Sequence, residues 1–346
     1  MVFIMKWKVI EKSKLPALIA ELASEYEIFA PVKEKSIVSF ERLSSGNEAY
    51  LGFRNTKKPP KEVFFPQTEV LFTYRIGEKD VEIVESPAVK AKMMVLGVRP
   101  CDARSFVLLD KFFSFGEHKD LYYLEKRKNT TVVGLACNHP LSTCFCTSLE
   151  GGPFGKEGMD LLLQDINDKY LIETVTERGE ELVKKFPWLK DAEKADVEKA
   201  KMLSEDAENA VKSKVSVKDV SEKLDRMFDD PLWDQIYQKC LGCGVCTFLC
   251  PACCCFDILD EETEERKRVR IWDSCQFSCF TLQGSGHNPR PSGKERMRQR
   301  IMHKFNYFVK NHGESFCVGC GRCVQECPVN LDIREVVGAI STRQVE

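Results

Sequence analysis

The sequence predicts an α+β protein, with an α/β-like N-terminal domain followed by a mainly helical, cysteine-rich domain. Three observations carry this. In the first 190 of the 346 residues, short β-type runs alternate with segments of helical period. Cysteine usage changes along the chain: four of the 17 Cys precede residue 230 and thirteen follow it. Between the two regimes lies a stretch of interspersed charge and alanine, Lys190 to Asp230.

In chain order, Pro16–Ala23 has helical spacing. Ile37–Phe40, Val63–Phe65 and Val81–Val84 read as strands. Met93–Val98 reads as a buried strand that turns at Arg99-Pro-Cys-Asp102 into a helix over Ala103–Phe113, with Asp102 as its N-cap. Thr131–Leu135 is the next strand. Lys190 to Asp230 has helical propensity but a thin apolar stripe, so an exposed helical connector is expected. Beyond Pro231 the chain is loop-rich, with helix-like character at Arg296–Lys310. The expected organisation is 1–189, 190–230 and 231–346.

Two runs in the last part repeat each other. Cys240-Leu-Gly-Cys243-Gly-Val-Cys246-Thr-Phe-Leu-Cys250-Pro251 and Cys317-Val-Gly-Cys320-Gly-Arg-Cys323-Val-Gln-Glu-Cys327-Pro328 both spell C-x2-C-x2-C-x3-C-P. This is bacterial ferredoxin spacing, in which the fourth Cys of each run serves the other cluster. Cys240, Cys243, Cys246 and Cys327 are therefore expected to hold one [4Fe–4S] cluster, and Cys317, Cys320, Cys323 and Cys250 the second. Gly242, Gly244, Gly319 and Gly321 allow the backbone to curl at positive φ, and each Pro turns the chain away. Zinc sites pair C-x2-C units at a longer separation, so zinc fits this pattern poorly. The domain is thus ferredoxin-like.

The N-terminal cysteines form a further candidate set. Cys101 follows one strand, Cys137 follows the next, and Cys144 and Cys146 come soon after. Adjacent parallel strands would bring them to one sheet edge, where ligands commonly bind. Four converging thiols suit a third [4Fe–4S] cluster or zinc; the competing interpretation is buried thiols that pack as small hydrophobes. Asp102 and His139 are nearby substitutes for one ligand. Cys253, Cys254, Cys255, Cys275 and Cys279 exceed what two clusters require, and His287 lies near them in sequence. They suit packing or tuning beside the clusters, or an extra metal or thiol site, with Cys253, Cys255 and Cys275 as the metal candidates.

Composition excludes several classes. A formal net charge of −2 gives no global attraction to nucleic acid or membrane, and no apolar run reaches the length of about 18 residues that spans a bilayer. An odd number of Cys in metal-type spacing argues for reduced thiolates in the cytoplasm. There is no G-x-G-x-x-G, no P-loop, no G-x-S-x-G and no acid/base constellation, so a non-catalytic role is expected. The local basic stretch Arg266–Arg270, continued by Arg290, Lys294, Arg296, Arg298, Arg300 and Lys304, suits offset of anionic clusters or docking of an acidic ferredoxin better than nucleic acid.

These residues together resemble a known family. Arg99-Pro-Cys-Asp102, Cys137…Cys144-Phe-Cys146-Thr-Ser, Cys250-Pro-Ala-Cys-Cys-Cys-Phe, Trp272-Asp-Ser-Cys275, Gly286-His-Asn288 and Cys317-Val-Gly-Cys-Gly-Arg-Cys323 are similar to the iron–sulfur subunit shared by cytoplasmic sulfhydrogenases, where it is the beta subunit, and anaerobic sulfite reductases. Similar subunits accompany flavin oxidoreductase–heterodisulfide reductase complexes. The resemblance covers most of the chain, and the N-terminal four Cys belong to it. Cys254 and Cys279 depart from the pattern. It implies an electron-transfer protein placed between a flavin/NAD(P)-binding reductase subunit, or ferredoxin, and a terminal redox subunit (hydrogenase, sulfite reductase or heterodisulfide reductase). The alternative is a subunit with its own thiol- or polysulfide-reducing site at the extra cysteines.

Overall fold

The computed structural model describes residues 7–344 apart from 45, 86–90 and 263–265. Twelve strands form among the described residues: β1 (Trp7–Glu11), β2 (Glu27–Glu34), β3 (Ile37–Arg42), β4 (Thr68–Ile76), β5 (Val81–Glu85), β6 (Met93–Val98), β7 (Thr130–Leu135), β8 (Leu161–Asp165), β9 (Lys169–Thr174), β10 (Lys190–Asp191), β11 (Phe256–Glu262) and β12 (Arg266–Trp272). Eight of them make one sheet in the order β10-β1-β9-β8-β7-β6-β2-β3. Its centre, β2, β6, β7 and β8, is parallel, and antiparallel strands extend it on both sides. β6 and β7 are buried along their whole length, as expected for central strands covered on both faces.

Helices Leu15–Leu22 and Glu177–Lys184 cover one face through Leu15, Leu18, Leu22, Leu182 and Val183. Helix Pro100–Phe113 covers the other through Ala103, Phe106, Leu108 and Leu109. That second layer also contains Cys250, Ala252, Trp272, Phe308 and Phe316, so the cysteine-rich segment packs directly on the sheet layer. A four-stranded antiparallel sheet, β11-β12-β4-β5, is assembled from both halves of the chain, because β12 pairs with β4.

Several expectations are corrected. Val63–Phe65 is not a strand. Pro59-Pro60 opens a 3-10 turn over Pro60–Val63, where the fixed φ and missing N–H groups of two prolines disfavour a ladder. Phe64 and Phe65 are instead core residues, and Phe65 stacks on Trp272 with centroids 5.8 Å apart. Asp102 is not an N-cap, since the helix begins at Pro100, with proline in its first turn and Arg99 at the cap position. The basic run Arg266–Arg270 lies in β12, and its hairpin partner β11 is mostly exposed and lacks a buried alternating face. Within 190–230, helix Lys194–Ala210 is largely solvated, but Val220, Leu224 and Met227 are buried with Trp233 and Phe305. That part is core rather than exposed connector.

Asp102 contributes a different interaction. Arg322, between Cys320 and Cys323, donates to both its carboxylate oxygens, at 2.6 and 2.8 Å, and to the Thr56 carbonyl at 2.8 Å. Both side chains are almost wholly buried. Removing one partner of a buried pair strands the other charge. Asp102→Ala should therefore lower folding stability by about 3–5 kcal/mol, read as a lower urea midpoint, whereas truncating the exposed pair Lys194–Glu198 should cost well under about 1 kcal/mol.

Candidate metal centres

The two cysteine runs fold alike. Gly242 and Gly244 have φ of 68° and 73°, and Gly319 and Gly321 have φ of 64° and 75°. Each second glycine precedes a four-residue helix, Val245–Phe248 or Arg322–Gln325. A residue with a β-carbon is strained at these angles, so both loops need the glycines to point their thiols inward. One cavity is lined by Cys240, Cys243, Cys246, Cys323 and Cys327 with Gln276 and Arg300. The structure thus brings the fourth cysteine of the second run to the first three of the other. Backbone N–H groups point at two of these sulfurs: Gly242 at Cys240 Sγ (3.4 Å) and Leu331 at Cys327 Sγ (3.2 Å). Cys250, Cys317, Cys320 and Cys323 are deeper, and the charge of Cys250 bears on each of the other three.

A second cavity is lined by Cys101, Cys137, Cys144 and Cys146, together with Arg54, Arg99, Gly319 and Cys320. β6 and β7 are parallel neighbours, which brings Cys101, in the first turn after β6, beside Cys137, two residues past β7. The N-terminal four are therefore together, and the loop of the second cysteine run forms one wall. The Phe145 N–H donates to the Gly319 carbonyl at 2.9 Å, and Cys144 Sγ lies 3.7 Å from the Cys320 carbonyl. A β-carbon on Gly319 would sit 2.6 Å from the Cys146 nitrogen, and one on Gly321 within 2.7 Å of the Thr143 carbonyl. Asp102 is committed to Arg322, and His139 offers its carbonyl to Arg54.

The surroundings are cationic and buried. Lys304 donates to Cys250 Sγ at 3.4 Å and to the Phe316 carbonyl at 2.9 Å. Arg300 Nη1 lies 3.9 Å from Cys253 Sγ. Arg300 and Lys304 are four residues apart, one turn along the same face, and Lys304 begins the buried part of a π-helical turn at His303–Tyr307, an irregularity frequent at functional sites. Lys61 is buried as well; it donates to the Cys253 carbonyl at 2.6 Å and lies 4.2 Å from the Trp272 ring centroid. The remaining basic residues are mostly paired: Arg270 with Glu69 and Asp120, Arg268 with Asp260, Arg298 with Asp229. Lys61 was not legible as a functional residue because nothing local distinguishes it from any surface lysine. Gln276, which hydrogen-bonds Cys240, was missed for the same reason.

Burial pushes Cys246 up to about 11 and Cys146 and Cys323 up to about 12. Cys250 moves the other way, well below the usual thiol range, because Cys253 hydrogen-bonds it and Lys304, Arg300 and Lys61 face it. Burial pulls the Lys304 ammonium down, but Cys250, Cys253 and Cys317 outweigh it and the net shift is upward. Buried thiols become thiolates when a metal replaces the proton, so metal binding here is coupled to proton release and to folding. This donor set fits iron–sulfur clusters: soft thiolates, inward backbone N–H groups and buried cations.

The extra cysteines are not dispersed. Cys253 contacts Cys250, and Cys255 hydrogen-bonds Cys275. Cys254 is buried beside them, whereas Cys279 and His287 are exposed. Among the described residues, no three His, Cys, Asp or Glu side chains close on a single metal ion.

Residues 239–331, which contain both runs, match the family model of the 4Fe-4S dicluster domain. The chain is thus an iron–sulfur protein with a dicluster domain for two [4Fe–4S] clusters. Over nearly its whole length it is similar to the beta subunit of sulfhydrogenase 2 from Pyrococcus furiosus: 31% identity over 343 residues, 97% of this chain and 98% of that one. It belongs to the sulfhydrogenase beta-subunit family of iron–sulfur electron-transfer proteins. No solved structure matches it. No described helix is long and apolar enough to cross a membrane.

Gly319→Ala should disturb both the second cysteine loop and the N-terminal cysteine cavity, through positive φ and the 2.6 Å approach to Cys146. A loss of about 1–3 kcal/mol is expected, measured by chemical denaturation of the iron-loaded protein, with Gly284→Ala, whose β-carbon meets nothing, as the neutral comparison.

Proposed function

We propose that this chain relays electrons through three [4Fe–4S] clusters between a flavin/NAD(P)-binding reductase subunit, or ferredoxin, and a terminal redox subunit such as a hydrogenase, sulfite reductase or heterodisulfide reductase. In this reading Cys240, Cys243, Cys246 and Cys327 hold the first cluster, Cys317, Cys320, Cys323 and Cys250 the second, and Cys101, Cys137, Cys144 and Cys146 the third. The single observation that carries it is the shared wall: the Gly319–Cys320 backbone borders the N-terminal cysteine cavity while Cys323, from the same loop, borders the other. The three ligand sets then follow one another, with the 317–323 loop in the middle. The name of the relative supports a hydrogenase-type complex.

When bound, each cubane supplies one-electron oxidation and reduction. The chain's own residues position and tune. The twin glycine loops orient the thiolates. Lys304 and Arg300 place positive charge against Cys250, Cys246 and Cys323, which favours the more negative, reduced state. Arg322 and Asp102 clamp the middle loop onto the N-terminal part. In the domain proposal, 1–189 carries the third site, 231–346 the dicluster, and 190–230 joins them.

Two experiments test this. Anaerobically purified protein should contain about twelve iron atoms, about four per cubane, and Cys146→Ser should lose about four of them while retaining the dicluster signals in electron paramagnetic resonance. Iron corresponding to fewer than two cubanes would refute the relay, and retention of all iron by Cys146→Ser would refute the third site. Lys304→Met should lower the potential of the cluster ligated by Cys250 by on the order of 60 mV, the one-electron equivalent of a tenfold change, in a mediated redox titration.

A further inference from the structure

The cluster assignments leave one pair of thiols in mutual contact and without a ligand role. Cys255 ends the segment before β11, Cys275 follows β12, and the two hydrogen-bond each other. The strand pairing holds them there: Phe256 is opposite Trp272, and the Asp273 N–H donates to the Cys255 carbonyl at 3.0 Å. Cys275 is buried and Cys255 is half-buried. Gln276 links the pair to the candidate cluster ligands. Its Nε2 donates to Cys275 Sγ at 3.6 Å, and its Oε1 accepts from Cys240 Sγ, also at 3.6 Å. A third bond, from Nε2 to the Arg296 carbonyl at 3.0 Å, fixes the amide in place.

From this juxtaposition we propose that Cys255 and Cys275 are a redox-active dithiol, a two-electron store beside the one-electron clusters. The proposal rests on the electron-relay reading above. In the oxidative direction both S–H bonds break and one S–S bond forms. Two protons leave, reaching solvent by way of the half-buried Cys255, and two electrons pass singly to oxidised [4Fe–4S] acceptors. The reverse step takes two electrons and two protons and restores both thiols. The strand pairing already holds these two thiols at one end of the hairpin, whereas Cys250 and Cys253, the other contacting pair, include a proposed cluster ligand. Buried Arg300 and Lys304 lend positive charge to Cys275 as they do to the cluster ligands.

The test uses the full-length, cluster-loaded protein, poised anaerobically at a series of potentials with mediator dyes. Each sample is quenched in acid, labelled with N-ethylmaleimide and mapped by peptide mass spectrometry. The expected result is a Cys255–Cys275 linked peptide at oxidising poise and two labelled cysteines at reducing poise, with a two-electron dependence on potential. Cys254→Ser should leave the linked peptide unchanged, and Cys275→Ser should eliminate it. The proposal is overturned if both thiols label fully at every potential, or if the wild-type protein contains a metal beyond its cubanes that Cys275→Ser releases. Iron and sulfide analysis of the same wild-type sample separates the two readings: fewer than two cubanes per chain counts against the relay, and unlinked thiols with cubanes intact count against the dithiol alone.

Discussion

Buried sulfur charge is the constraint around which this molecule is organised. Most of the 17 thiols are wholly or partly removed from water, and burial by itself drives them toward the protonated, uncharged form. Clustered thiolates in such a place require positive charge. Iron provides part of it, and the chain provides the rest by burying Lys61, Arg300, Lys304 and Arg322 among the cysteines. Each of these cations would be costly to bury without an anionic partner. Thiols and cations therefore justify each other's position, and the core that encloses them has little freedom to rearrange.

Close packing also joins the halves of the chain. Phe316 and Phe308 stack at 4.1 Å, and Phe316 stacks in turn on Phe112 of the helix that covers the large sheet. Phe65 and Trp272 extend the aromatic contact to β12. Gly319 and Gly321 let the second cysteine loop lie flat against the N-terminal cysteine loop, with Arg322 and Asp102 pinned beneath it. The 317–323 loop of the ferredoxin-type unit is thereby sealed against a second cysteine set rather than exposed to solvent.

Legibility in the sequence followed the range of the interactions. The twin cysteine runs were readable because cluster ligation is local: three thiols and two glycines within seven residues define a loop whatever surrounds it. β6, β7 and the helix after β6 were readable because buried parallel strands are continuous apolar runs. Val63–Phe65 misled, since apolar aromatic residues serve a core equally well in a strand or in a proline-opened turn. β11 and β12 were hidden because β4, the other partner of β12, lies nearly two hundred residues away, and solvent-facing β11 carries acidic rather than alternating side chains. The basic run was legible as charge but not as destination: Arg270 went to Glu69 and Asp120, and Arg300 and Lys304 went to sulfur.

By itself the sequence determined the dicluster chemistry of the two ferredoxin runs and the family membership carried by short motifs, and it singled out four N-terminal cysteines as a candidate set. Those follow from covalent spacing, which folding does not alter. Only the tertiary structure decided which cysteines face one cavity, which cations they face, that Asp102 clamps Arg322 instead of capping a helix, and that Cys255 meets Cys275 across the start of a hairpin. These depend on contacts between residues far apart in the chain, set by sheet pairing and core packing, and no local pattern encodes them.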